Sequence, residues 1–294
     1  MFSIIVPSYN RQAEIPALLD SLTMQSQYHF EVIIVDDCSE PAVEIRQDYP
    51  FVYQVIRNQQ NLGAAASRNV GAKAAKQPWL LFLDDDDRFV PEKCAYLAQQ
   101  IRQYPDINFI YHPAKCIMVN EGFSYVTQPF SDPHALTLEN LLLANKIGGM
   151  PMIGIKKELF LQVGGLSTDL RALEDYEFLL KLFSHAEVKP HYVDKALSIC
   201  TFHTHRKSVS THTQYTEKAI AEIKQRYVKT PHQARQFEQN ALYMLAYPHI
   251  MNLSRKAAYY YFALFRKTRS FKHLIISLVV LLSPKLAIHL KRFA

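Results

Sequence analysis

The 294-residue chain has no apolar run near the roughly 20 residues that a bilayer-crossing helix needs. Its strongly apolar stretch, Leu274–Leu282, is nine residues long, and Pro284 interrupts the segment beyond it. Cysteine is sparse. Cys38, Cys94, Cys116 and Cys200 show no CxxC or Cys-His spacing, which argues against a zinc site or a disulfide framework and fits a reducing compartment. Met1 leads directly into Phe2-Ser3-Ile4-Ile5-Val6 with neither a basic leader nor a small-residue cleavage site, so no secretory signal is expected and the cytoplasm is the expected location. The segment Asn61–Asn69 lacks both the GxGxxG spacing of a dinucleotide fold and the GxxxxGK[ST] of a P-loop, which argues against a nicotinamide enzyme or an ATPase. No internal repeat or low-complexity block is present.

What is present is an ordinary globular composition, 49% apolar and 20% charged, enough to bury a large core. The formal charge of +6 is concentrated at one end. Nine Lys/Arg and no Asp/Glu fall from Arg255 onward, so the first 254 residues carry −3. No nucleic-acid partner is expected.

Short apolar runs at Phe2–Val6, Val32–Val35, Val52–Ile56, Leu80–Leu83 and Phe109–Tyr111 read as strands buried on both faces. Helical patterns lie between them. Ile15, Leu18, Leu19 and Leu22 follow i, i+3, i+4, i+7, Ala64–Ala75 is Ala-rich, and Pro91 opens a segment carrying Cys94, Leu97 and Ile101. The alternation predicts an α/β fold with a mainly parallel sheet flanked by helices. From about Thr137 helical signals dominate, with Tyr176, Leu179, Leu180 and Phe183 on one face, and a helical extension follows a His-rich loop after Ile199.

Ligands of open α/β sheets sit at the carboxyl ends of strands. Here those ends read Pro7-Ser8-Tyr9-Asn10, Asp36-Asp37-Cys38-Ser39 and Asp84-Asp85-Asp86-Asp87. Four adjacent acids repel one another unless water or a cation screens them, and oxygen ligands favour Mg²⁺ or Mn²⁺. A water-exposed acidic turn accounts for the run as well, and a capping turn accounts for Asp36-Asp37 taken alone. Asn61–Asn69 opens a helix whose N–H groups and Arg68 could receive a phosphate. Glu174-Asp175 begins an apolar-faced helix, which helix-start preference alone would explain. His203, His205 and His212 each read singly as solvated loop residues.

Taken in order, Ser3–Asn10, Val32–Ser39, Asn61–Asn69 and Phe82–Asp87, then Val163-Gly164-Gly165-Leu166 and Leu173–Glu177, strongly resemble glycosyltransferase family 2 over about the first 210 residues. The resemblance implies a GT-A fold, with residues 1–210 as the catalytic domain: 1–115 the nucleotide-sugar half and 116–210 the acceptor half. It implies that Pro7 and Tyr9 line the base pocket, that Asp37 bonds the nucleobase and that Arg68 lies near the nucleotide. It implies that Asp84 or Asp85 approaches the ribose and sugar, that Asp86 ligates the metal, and that Asp175 is the catalytic base. Phe202–Ser210 resembles the loop that closes over the donor phosphates, which would bring His205 to the metal or diphosphate. The chain departs from the family pattern at His203, where Arg is usual, and at Ser167, where Asp commonly follows the Gly-Gly-aromatic motif.

The activity expected is an inverting, Mn²⁺- or Mg²⁺-dependent transfer from a nucleoside-diphosphate sugar, with UDP favoured, to a hydroxyl of a glycan or lipid-linked acceptor in surface polysaccharide or lipooligosaccharide synthesis. A hydrolase would need two carboxylates flanking the bond. A sugar nucleotidyltransferase would want a Gly-rich loop after the first strand, where Pro7-Ser8-Tyr9-Asn10 stands, and intact Asp86 and Asp175 speak against an inactive nucleotide-sugar-binding scaffold. Residues 211–294 are expected to form a helical extension. Its apolar, Lys/Arg-flanked end would lie on the inner face of the cell membrane, or pack on the catalytic domain or a second subunit.

Overall fold

The protein is described by a computed structural model covering residues 1–184, 187–204 and 212–290. Its strands are β1 (Phe2–Ser8), β2 (Phe30–Asp36), β3 (Val52–Arg57), β4 (Trp79–Phe82), β5 (Arg88–Phe89), β6 (Phe109–Tyr111), β7 (Ala114–Met118), β8 (Phe123–Val126), β9 (Ile153–Lys156), β10 (Pro190–Tyr192) and β11 (Ser198–Phe202). Its helices are α1 (Glu14–Thr23), α2 (Ala64–Ala74), α3 (Lys93–Gln103), α4 (Leu138–Leu143), α5 (Lys157–Gln162), α6 (Glu174–Phe183), α7 (Thr213–Tyr227), α8 (Pro231–Met251), α9 (Ala257–Thr268), α10 (Phe271–Leu282) and α11 (Pro284–Leu290).

A seven-stranded sheet in the order β10-β6-β9-β4-β1-β2-β3 forms the centre. β1, β2, β3 and β4 run parallel, with Ser8 beside Asp36 and Asp36 beside Arg57. That register brings the exits of β1, β2 and β4 together at one end of the sheet. The inner strands are buried on both faces, as parallel strands between helices must be: Ile4, Ile34 and Leu81 face one core and Ile5, Ile33 and Phe82 the other. β3 departs from the expectation, because it is the edge strand and its residues are exposed or half-buried, none of them buried.

Two other features correct the sequence reading. β9 is inserted antiparallel between β4 and β6, so the region after Thr137 is not simply helical. Its Ile153-Gly154-Ile155 run is too short to carry a period of its own. A second, four-stranded sheet, β5-β11-β7-β8, begins directly after the acidic turn. β7 and β8 form a hairpin that closes at Gly122, whose φ of +68° suits glycine.

Helix α2 approaches the sheet closely because Gly71 has no side chain: a Cβ there would lie 2.5 Å from Ile5 Cγ2 and 3.3 Å from Val35 Cγ2. Gly71→Val is expected to force α2 away from β1 and to cost about 1–3 kcal/mol, read as a lowered urea midpoint. An unchanged midpoint would contradict this packing.

Candidate active site

The exits of the parallel strands build the site. Asp36 ends β2, where burial pushes its carboxyl up, but hydrogen bonds from Ser39 and Val43 and the Arg57 guanidinium at 2.9 Å outweigh that and hold it below the ordinary carboxylate range. Asp37 accepts from Asn58 Nδ2 at 2.8 Å, Leu62 N at 2.9 Å and Gly63 N at 2.7 Å. It therefore fixes the loop that opens α2, in keeping with the capping-turn reading of Asp36-Asp37. Pro7 is half-buried, whereas Tyr9 is 49% exposed, leaving its ring open for a stacked partner.

Three non-glycine residues around the site, Asn10, Cys38 and Leu173, adopt positive φ (53°, 68° and 59°). Each such conformation costs about 1–3 kcal/mol and is characteristic of sites whose geometry the surroundings impose. Leu173 directly precedes Glu174 and Asp175, so the left-handed residue sets where α6 starts.

The central contact is made by Arg68 of α2. Its buried guanidinium reaches Asp84 Oδ1 at 2.6 Å, beyond β4, and Glu174 Oε1 at 3.2 Å, the first residue of α6. Burial disfavours the charge, but Asp84 and Glu174 more than compensate and raise the Arg68 pKa. The structure thus ties the acidic turn to the helix bearing Asp175. Burial, together with the Glu174 charge, raises the Asp175 carboxyl well above its ordinary value, and a Cβ added to Gly149 would lie 3.4 Å from Asp175 Oδ2.

Within the acidic turn the four residues have distinct surroundings. Asp86 faces Arg11 at 3.8 Å. Burial lifts Asp85 to about 7, opposed by Arg11 and reinforced by Asp86 and Asp84. Burial and Asp84 raise Asp87, which accepts from Thr201 N at 2.9 Å and so fastens the turn to β11. Among the described residues, no group of three or more His, Cys, Asp or Glu is arranged as a metal cage. The residues nevertheless fit Mg²⁺ or Mn²⁺, which are held by one or two carboxylates plus substrate phosphates rather than by an all-protein cage. Burial is the main cause that raises Asp85, with Asp86 and Asp84 adding to it, and a cation beside these carboxylates would favour their charged forms. His205 lies outside the described residues.

Two buried charged residues at the site make contacts that the sequence does not signal: Lys93, and Glu177 at the end of the Leu173–Glu177 motif. Lys93 is fully buried, donating to Pro151 O at 2.8 Å and Ser198 Oγ at 2.9 Å with Nζ 3.7 Å from the Phe89 ring centroid, and burial lowers it to about 7. It joins α3, the turn after Gly149 and β11. Glu177 is equally buried, accepting from Ser167 Oγ at 2.7 Å and Tyr227 OH at 2.6 Å, and so fastens α7 to α6. A lysine or glutamate on a helix reads as a solvated residue until its neighbours are known. A hollow of about 580 Å³ lies at the opposite, amino-terminal end of the strands, lined by Met1, Phe30, Glu31 and Arg102, and is remote from these groups.

Residues 3–164 match the family model described as glycosyl transferase family 2. The chain belongs to this family. An uncharacterized glycosyltransferase of Haemophilus influenzae is 65% identical over 292 residues, covering 99% of each chain. Residues 1–349 of S. aureus TarS, solved in complex with UDP-GlcNAc, share the fold with a TM-score of 0.59 at 20% identity, covering 88% of this chain and 83% of that one. The mannosyltransferase PcManGT of Pyrobaculum calidifontis, solved with GDP-Man and Mn²⁺, gives 0.54 at 16% identity, covering 99% and 86%. This glycosyltransferase accordingly has a GT-A-like α/β core with a helical C-terminal region.

The raised Asp85 has a measurable consequence. A carboxyl whose folded pKa lies near 7 against a reference of 3.8 binds more protons folded than unfolded between those values, so stability falls as pH rises through that window. Metal-free protein is expected to lose thermal stability between pH 4 and about 7, and Asp85→Asn to flatten that slope. A slope unchanged in the variant would contradict the placement of Asp85.

Proposed function

We propose that this glycosyltransferase is inverting and moves a sugar from a nucleoside-diphosphate donor, UDP-linked in the first instance, to a hydroxyl of a glycan or glycolipid acceptor. The setting is surface polysaccharide or lipooligosaccharide synthesis at the inner face of the membrane. Residues 1–210 form the catalytic unit and residues 211–294 its helical extension. The observation that carries the reading is the Arg68 bridge, which ties the acidic turn to the helix bearing Asp175. The UDP-GlcNAc in the TarS complex and the Mn²⁺ in the PcManGT complex support the donor and metal classes.

In this reading Asp175 takes the proton of the acceptor hydroxyl as its oxygen bonds to the anomeric carbon. The bond from that carbon to the diphosphate oxygen breaks on the opposite face, which inverts the configuration. A carboxyl lifted toward neutrality is a stronger base than an ordinary aspartate. Tyr9 and Pro7 flank the nucleobase, and Asp37, which also holds the loop that opens α2, hydrogen-bonds the base. Asp84, held by Arg68, and Asp85 face the ribose and sugar. A divalent cation held by Asp86 would neutralise charge on the departing diphosphate.

Calorimetric titration with UDP, GDP and dTDP, with and without Mn²⁺, tests the donor site. Metal-dependent binding of UDP is expected, lost in Asp86→Ala. Asp175→Asn should keep that binding but lower turnover about 10²–10⁴-fold. Absence of nucleotide binding by folded wild-type protein would overturn the reading of the donor site.

A further inference from the structure

Helix α10 turns two polar residues inward beside Val280 and several large apolar ones outward. In a water-soluble protein an amphipathic helix turns its apolar stripe inward and its polar residues outward. Here two polar residues, His273 and Ser277, are buried and hydrogen-bonded: His273 contacts Tyr243 OH at 2.5 Å and Thr268 Oγ1 at 2.8 Å, and Ser277 Oγ donates to Ala258 O at 2.8 Å. Phe271, Ile275, Leu278 and Leu282, spaced i, i+4, i+7 and i+11, face outward at 71, 59, 52 and 76% exposure.

The outward apolar face continues beyond one helix. Phe265 of α9 lies between Phe262 at 6.1 Å and Phe271 at 5.9 Å, ring centre to ring centre, and Leu286 and Leu290 of α11 are exposed as well. Exposed Arg266, Arg269, Lys272 and Lys285 accompany it, and no acidic residue follows Arg255. Lys267 is also present but is engaged by Glu238 at 2.5 Å. The inner sides of α9 to α11 are occupied, since Ala257, Ala258, Val280 and Ile288 pack with Met118 and Phe123 of the second sheet. Among the described residues no helix is long and apolar enough to cross a membrane.

We propose that the outer face of α9, α10 and α11 is a docking surface for an anionic lipid bilayer. The apolar side chains enter the acyl boundary while the cations meet the headgroups, and the packed inner side keeps the helices attached to the catalytic core. Charge complementarity selects the occupant. A surface of Leu, Ile and Phe on three helices that carry exposed cations and no Asp or Glu of their own matches phosphate headgroups over hydrocarbon, whereas a second copy would bring the same positive charges against each other. The inference deepens the proposed membrane setting of the acceptor and rests on that reading for its biological role alone, because docking requires neither nucleotide nor acceptor.

The test is co-sedimentation of the full chain with phosphatidylcholine vesicles, with and without phosphatidylglycerol, at low and high salt. Wild type is expected to bind the anionic vesicles at least about tenfold more tightly than the zwitterionic ones, because each basic residue near the surface adds to attraction that salt screens. Ile275→Gln/Leu278→Gln/Leu282→Gln should reduce binding to both vesicles. Arg266→Glu/Arg269→Glu/Lys272→Glu should abolish only the anionic preference. Both variants alter exposed positions and should keep the wild-type circular dichroism and Mn²⁺-dependent UDP binding, so loss of docking and loss of the donor site are read separately. No vesicle binding by wild type, or a dimer that the glutamine variant dissociates, would overturn the proposal.

Discussion

One buried guanidinium organises the catalytic end of the molecule. Arg68 belongs to α2, Asp84 follows β4 and Glu174 begins α6, so its two contacts unite segments that are 16 and 106 residues away in sequence. Taking a charge out of water is unfavourable unless opposite charges and hydrogen bonds replace the lost solvation. Asp84 and Glu174 supply both, and neither of them is fully buried, so part of their own hydration is retained. The arrangement places a cation among carboxylates whose mutual repulsion would otherwise separate the acidic turn from the start of α6.

From that contact the rest of the site extends outward through two sheets. The parallel sheet delivers the exits of β1, β2 and β4 side by side, and the smaller sheet attaches to the same acidic turn through Asp87 and Thr201. Buried Lys93 then connects β11 to the turn after Gly149, which borders Asp175. The acidic turn and the Asp175 region are therefore coupled by hydrogen bonds on two sides. α7, fastened to α6 by Tyr227 and Glu177, closes a third side and leads into the C-terminal helices.

Much of the central sheet was legible because a buried parallel strand needs a nearly continuous apolar run, and Phe2–Val6 (broken only by Ser3), Val32–Val35 and Leu80–Leu83 supply one each. The residues after those runs were conspicuous for the same reason, since carboxylates stand out at the end of an apolar strand. β9 and the second sheet were not legible. Their strands have two to five residues and depend on partners far along the chain, such as β11 beside β7, rather than on local pattern. The contacts of Arg68, Lys93 and Glu177 were hidden because a charged residue on a helix gives no sign of its burial. The orientation of α10 was equally hidden: its composition suggested an apolar helix among basic residues, but not that Ser277 and His273 turn inward.

The central claim is that Arg68 holds the acidic turn and α6 together, and a double-mutant cycle on unfolding free energy with Arg68→Met and Glu174→Gln tests it most directly. Because the Glu174 side chain is 19% exposed and Arg68 only 7%, partial solvent screening places the expected coupling at about 1–3 kcal/mol. Coupling of that size would establish the bridge as a working constraint. Additive effects of the two substitutions would contradict it and leave Asp175 positioned by the packing of α6 alone.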